Sequence, residues 1–175
     1  MTKLTIAAVA AAAVLTALPA FAHVTLETAE SPAGGFYKAV LRVPHGCAGS
    51  PTIGLRVQIP EGVIEARPMP KPGWTITMKV KPLDPPYVDD GLKITTAVSE
   101  IDWSGGKLPD DYYDEFVFRA RLPSRPGTML YFPVIQICAS GEEHWIQIPA
   151  EGKTADDYDN PAPGVKLTSA PPEND

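Results

Sequence analysis

Proline restricts this chain more than any other residue. Twenty prolines are spread from Pro19 to Pro172, and few intervals between them can hold a helix of ordinary length. Proline has no backbone N–H and its ring clashes with the preceding helical turn, so it belongs to turns, strand ends and sheet edges. Long helices are nearly excluded. The apolar residues between the prolines instead recur two apart, the period of a half-buried strand. Ile53, Leu55, Val57 and Ile59 do so in Thr52 to Ile59, and Trp74, Ile76, Met78 and Val80 do so in Trp74 to Val80.

Strands are predicted at Val24–Glu27, Phe36–Val43, Thr52–Ile59, Val63–Pro68, Trp74–Val80, Leu92–Trp103, Glu115–Leu122, Thr128–Ile137 (broken at Pro133) and His144–Ile148. His45–Pro51, Pro82–Gly91, Ser104–Gly106 and Ser140–Glu143 read as loops or turns, rich in Gly, Pro or polar residues. Leu108–Tyr113 reads as irregular. Short strands with turn signals every 8 to 12 residues predict an all-β antiparallel sandwich. There is no internal repeat.

The first 22 residues have a different character. Lys3 precedes the apolar run Leu4 to Leu18, and Ala20-Phe21-Ala22 has the small-x-small pattern of a signal-peptidase site. Residues 1–22 are therefore expected to be a secretory signal, leaving His23 as the mature amino terminus. Removing 22 of 175 residues leaves 153, in the range of a single domain. The domain is expected to span 23–150. Residues 151–175 read as an acidic, Pro-rich tail, largely disordered unless Pro161–Val165 lies back on the sandwich. The signal holds one of the 15 basic residues and none of the 21 acids, so the mature chain is more negative than the formal −6 of the full sequence. Nucleic acid is an improbable partner, and no second apolar run is long enough for a transmembrane anchor. A bacterial periplasm is the expected location.

The two cysteines, Cys47 and Cys138, favour a disulfide in an exported chain, the alternative being a thiolate pair for Cu(I). No G-x-S-x-G, H-E-x-x-H or C-x-x-C motif occurs, which argues against serine hydrolases, zinc proteases and thioredoxin-type redox chemistry. What stands out is His23. At a chain terminus the α-amine and imidazole of one histidine can close a chelate ring, and such nitrogen donors favour Cu(II). The plain alternative is that His23 only marks where the cut falls. Glu27 shares its strand face, but four residues at about 3.3 Å each separate the two Cα atoms by roughly 13 Å. His45, in a loop, is a second imidazole or a solvated loop residue. His144 and Trp145 point to opposite faces of their strand, and Trp145 is either core or a shield beside a metal.

Several stretches together resemble a known family. They are His23-Val24-Thr25, Leu41-Arg42-Val43-Pro44, Pro72-Gly73-Trp74, Ile101-Asp102-Trp103-Ser104-Gly105-Gly106, Glu115-Phe116, Leu130-Tyr131-Phe132-Pro133-Val134 and Trp145. The chain resembles the YcnI-like copper-binding domain of bacterial exported proteins over nearly all of its mature length. The resemblance implies an immunoglobulin-like β-sandwich binding one Cu(II) per chain through a single-histidine brace, with a carboxylate ligand and a nearby Trp. It maps the histidine onto His23 and the Trp onto Trp145. The family pattern Val-Pro-x-Glu reads Val43-Pro44-His45-Gly46 here, so His45 replaces the carboxylate or Glu27 serves after local bending. Many relatives carry a carboxy-terminal membrane anchor; without one, this chain is expected to diffuse freely. The function expected is periplasmic copper trafficking or homeostasis, with other periplasmic or membrane copper-trafficking proteins as partners and no enzymatic activity. The alternatives are a copper-dependent oxidase and a non-metal interaction module of the envelope.

Overall fold

The computed structural model describes residues 23–89 and 91–169. The expected signal at 1–22 and the last residues of the tail, 170–175, lie outside the described residues. Twelve strands are present: β1 (Thr25–Leu26), β2 (Glu30–Pro32), β3 (Phe36–Val43), β4 (Thr52–Gln58), β5 (Ile64–Pro68), β6 (Thr75–Asp89), β7 (Leu92–Leu108), β8 (Asp114–Arg121), β9 (Met129–Tyr131), β10 (Val134–Cys138), β11 (Glu142–Trp145) and β12 (Gly164–Thr168). One 3-10 turn, Ala155–Asp157, is the only helical element among the described residues.

The strands form a four-stranded sheet in the order β1-β3-β8-β5, a five-stranded sheet β11-β10-β4-β7-β6, and a small sheet β2-β12-β9. All pairings in the two larger sheets are antiparallel; β12 pairs parallel with β2. One apolar core draws on all three sheets. Tyr37, Leu41, Phe116 and Phe118 enter it from the first, Leu55, Ile101 and Trp103 from the second, and Leu130, Val165 and Leu167 from the third. Alternation sends Tyr37, Ala39, Leu41 and Val43 inward and leaves Phe36, Lys38 and Arg42 at the surface. The antiparallel β-sandwich expected from the sequence is the fold found.

Several expectations differ in detail, among them the last strand, expected at His144–Ile148 and found at Glu142–Trp145 so that it takes in half of the stretch read as a turn. Pro82–Gly91 was expected to be a loop, yet β6 runs from Thr75 to Asp89 and pairs with β7 as a long hairpin. The prolines are tolerated because β6 is an edge strand, and the pairing skips register between Pro82 and Tyr87. Ser104–Gly106 does not turn out of its strand: β7 continues to Leu108. Gly106 lies against the Trp74 indole, where an added Cβ would come within 2.1 Å of a ring carbon. Its lack of a side chain therefore serves packing rather than turning.

The fold also does not end near residue 150. Within the stretch read as tail, β12 lies between β2 and β9, with Val165 and Leu167 fully buried. The Val165/Leu167 alternation is a genuine strand signal, but it spans only five residues inside a polar, Pro-rich surround. Residues 161–163 are also buried against the body, and Gln147 bridges to Pro161.

Candidate metal centre

His23 is half-buried and lies two residues before the start of β1. In the β1–β3 ladder Thr25 faces Arg42 and Leu26 faces Leu41; the same register carried two residues back sets His23 opposite Pro44. His23 and the His45 loop thus fall at the same end of the sandwich. The first strand is tied down by the buried Tyr37, whose hydroxyl donates to the Thr28 carbonyl at 2.5 Å. Burial, reinforced by the nearby Glu27 carboxylate, pushes the Tyr37 phenol up to about 12.

The His23 imidazole lies 5.5 Å, centroid to centroid, from the indole of Trp145, with the rings tilted by 54°. Trp145 is buried at the end of β11, while its neighbour His144 is exposed and its Nε2 sits 2.6 Å from Glu142. The alternation places Trp145, not His144, toward His23. Residues 143 and 145 share that face, and Glu143 is half-buried.

A buried glutamine fixes the indole. Trp145 Nε1 donates to Gln136 Oε1 at 3.1 Å, and Gln136 Nε2 donates to the His45 carbonyl at 2.7 Å and to Thr52 Oγ1 at 2.8 Å. Gln136 is 1 % exposed, so these bonds satisfy its amide away from water. Through it, Trp145 and the His45 backbone are held by one side chain. The loop from His45 is closed by reciprocal backbone hydrogen bonds between Cys47 and Ser50 and by the Cys47–Cys138 disulfide, whose Cα atoms are 6.0 Å apart. No Cβ fits at Gly46, since one would stand 2.0 Å from the Ser50 carbonyl oxygen. His45 Nδ1 donates to the Gly46 carbonyl at 2.5 Å, which leaves Nε2 as the basic nitrogen of the neutral ring.

Glu27 is engaged elsewhere. Its carboxylate pairs with Arg42 at 3.1 Å, and Arg42 also reaches Glu115 at 3.6 Å. His23 instead lines a hollow of about 340 Å³ between His23–Leu26 and Pro161–Gly164. Of the residues lining it, Asp156 alone is acidic. The structure thus brings His23 and Trp145 together and joins His45 to them through Gln136, but leaves Glu27 on an arginine. Sequence reading missed Gln136 and Asp156. Gln136 had a signal, a polar residue at an inward position between Val134 and Cys138; Asp156 had none, because it lies in the segment read as tail.

Among the described residues no three His, Cys, Asp or Glu side chains converge on one point. A metal at this rim therefore needs a donor set that is not a side-chain cluster. If His23 becomes the amino terminus, as the sequence leads one to expect, its α-amine and its half-buried imidazole beside the Trp145 indole would be such a set.

A crystal structure of an uncharacterized protein from Nocardia farcinica, described as revealing an immunoglobulin-like fold, is similar to this chain, with a TM-score of 0.63 and 26% identity over 84% of this chain and 99% of that one. The sandwich is accordingly immunoglobulin-like. No curated protein matches the sequence. The model of a family described as a domain of unknown function, DUF1775, matches residues 23–167, from the histidine at the rim to the last core residue of β12. The chain belongs to the DUF1775 family, the YcnI-like domain that its sequence resembles.

Proposed function

We propose that this is an exported periplasmic protein that carries copper, holding one Cu(II) at His23 once residues 1–22 are removed. The observation that carries the reading is the His23 imidazole seated against the buried, hydrogen-bonded indole of Trp145. The freed α-amine and the imidazole supply a chelating nitrogen pair, the donor type that Cu(II) prefers. Trp145 covers one side of the site and limits water there. Asp156, in the same hollow, and His45, tied to Trp145 through Gln136, are the residues available to complete the set. The site serves as a carrier because it lies at a chain end on the rim, where an ion can be captured and passed on to other copper-trafficking proteins. Protons compete for both nitrogens, so affinity falls on acidification.

The test is Cu(II) titration of processed protein, followed by electron paramagnetic resonance, with mass spectrometry fixing the first residue as His23. One alanine placed before His23 is expected to abolish tight binding and change the nitrogen hyperfine pattern. Unchanged binding by the extended protein overturns the reading. Asp156→Asn and His45→Ala then identify the further donor.

A further inference from the structure

We propose that the outward face of the four-stranded sheet is a docking surface for an extended acidic segment of a partner protein. In the ladders, Lys38 of β3 stands directly opposite Arg119 of β8, and Arg119 directly opposite Arg67 of β5. Three cations therefore form one row across three neighbouring strands, about 10 Å from end to end at roughly 4.8 Å per strand. Like charges directly opposite each other destabilise a sheet, so the row is a cost to the fold.

The backbone is distorted to make it. Ile64 pairs with Arg121, and in a regular ladder Ala66 would then face Arg119. Instead the register shifts by one between Ile64 and Arg67, and Glu65 takes a left-handed φ of 52°. That conformation is unfavourable for a residue with a side chain. The extra residue turns Ala66 into the core and brings Arg67, whose side chain is 73% exposed, onto the face of Arg119. A bulge re-aims a side chain at local expense, and here what it re-aims is the third cation.

The row is left poorly neutralised in a chain of formal net charge −6. Elsewhere Arg42, Arg56, Lys71, Lys79 and Lys153 each have a carboxylate within 3.3 Å. Lys38 and Arg119 form no ion pair with any described residue, and Arg67 has only Glu65 at 3.9 Å. Arg119 is held flat instead, its guanidinium 4.1 Å from the centroid of Phe36, which is itself 52% exposed. Arg121 stands 6.0 Å from the same ring. The patch thus offers charge beside an exposed aromatic face.

The occupant that fits is narrow. Carboxylates at alternate positions of an extended peptide are about 6.6 Å apart, so two or three span the row. An anionic bilayer is disfavoured, because its broad surface would also cover the neighbouring Glu27 and Glu115 on the same sheet, which a narrow peptide avoids. This inference does not depend on copper.

The experiment is a nuclear magnetic resonance titration of the full chain with hexaglutamate at low salt, with phosphatidylglycerol vesicle co-sedimentation in parallel. Amide shifts at residues 36, 38, 67 and 119 are expected, weakening at 0.3 M salt. Arg119→Glu should reduce the affinity at least tenfold while keeping the melting temperature, since it sets an acid between two cations. Lys166→Glu, an equal charge change in the small sheet, should alter it less than twofold. The proposal is overturned if the shifts map elsewhere, if both variants weaken binding equally, if Arg119→Glu binds normally, or if vesicles bind and the peptide does not.

Discussion

Two tryptophans in this molecule are buried for different purposes. Trp103, in the centre of β7, is fully enclosed and meets Phe116 edge to face at 5.7 Å, and Phe116 in turn meets Trp74 at 4.9 Å. Among the described residues its indole N–H has no hydrogen-bond partner. Trp145, at the rim, is nearly as buried, yet its N–H is received by Gln136, whose other two bonds reach across to a loop and a neighbouring strand. An unpaired buried N–H costs about 1–3 kcal/mol, which the apolar contacts of Trp103 outweigh. At the core the ring's volume is what counts; at the rim the structure uses polar atoms to set the ring's direction. A ring whose direction is fixed has something to face, and what it faces is His23.

The contrast can be tested by mutation. Trp103→Ala should lower stability the most, by about 3–5 kcal/mol in denaturant unfolding, and, on the proposed function, should leave the copper stoichiometry of the folded fraction unchanged. Replacing Cys47 and Cys138 by alanine should cost about 2–5 kcal/mol and, unlike the first change, also perturb the rim, read as altered tryptophan fluorescence. Gln136→Leu is expected to cost about 1–3 kcal/mol, because it strands the Trp145 N–H and leaves Thr52 without its partner. Its diagnostic is a near-ultraviolet dichroism change that Trp103→Phe does not share; a spectrum like that of the parent would dissolve the distinction between the two indoles.

Alkaline titration probes the strand that carries His23. The Tyr37 phenol titrates near 12 in the folded chain, above its ordinary value of 10, so burial favours the protonated ring. The stability it contributes is complete below pH 10 and is lost as pH rises toward 12, which absorbance at 295 nm and unfolding curves can follow together. The smallest effect belongs to Glu27→Gln. Both partners of its Arg42 pair are 45% exposed, so stability should fall by less than about 1 kcal/mol, and the Cu(II) spectrum should be unchanged if Glu27 is not a ligand.

Most of the sandwich was legible in the sequence because its long strands are half-buried and therefore alternate. β3 and β4 match their expected spans almost to the residue. The misreadings have local causes. Proline argued for a loop at 82–91, but an edge strand with a register skip tolerates it. Gly105 and Gly106 looked like a turn, whereas Gly106 makes room for Trp74. β12 was hidden by its short length and polar neighbours. At the candidate centre, alternation alone put His144 and Trp145 on opposite faces but left open which of them approaches His23. Gln136 could not be linked to His45, because 91 residues separate them and only the β4–β10 ladder and the disulfide bring them together.

The parallel pairing of β12 with β2 sets an order on how the molecule can be completed. Among the described residues Glu30–Pro32 and Met129–Tyr131 share no partner except Gly164–Thr168, so the third sheet closes only when those five residues are in place. A nascent chain that has not yet delivered residue 168 holds Leu130 and Glu30–Pro32 without their cover. Completion of the native state therefore waits for residues 164–168, and a version stopped at residue 150 should emerge as a sticky, incompletely closed sandwich.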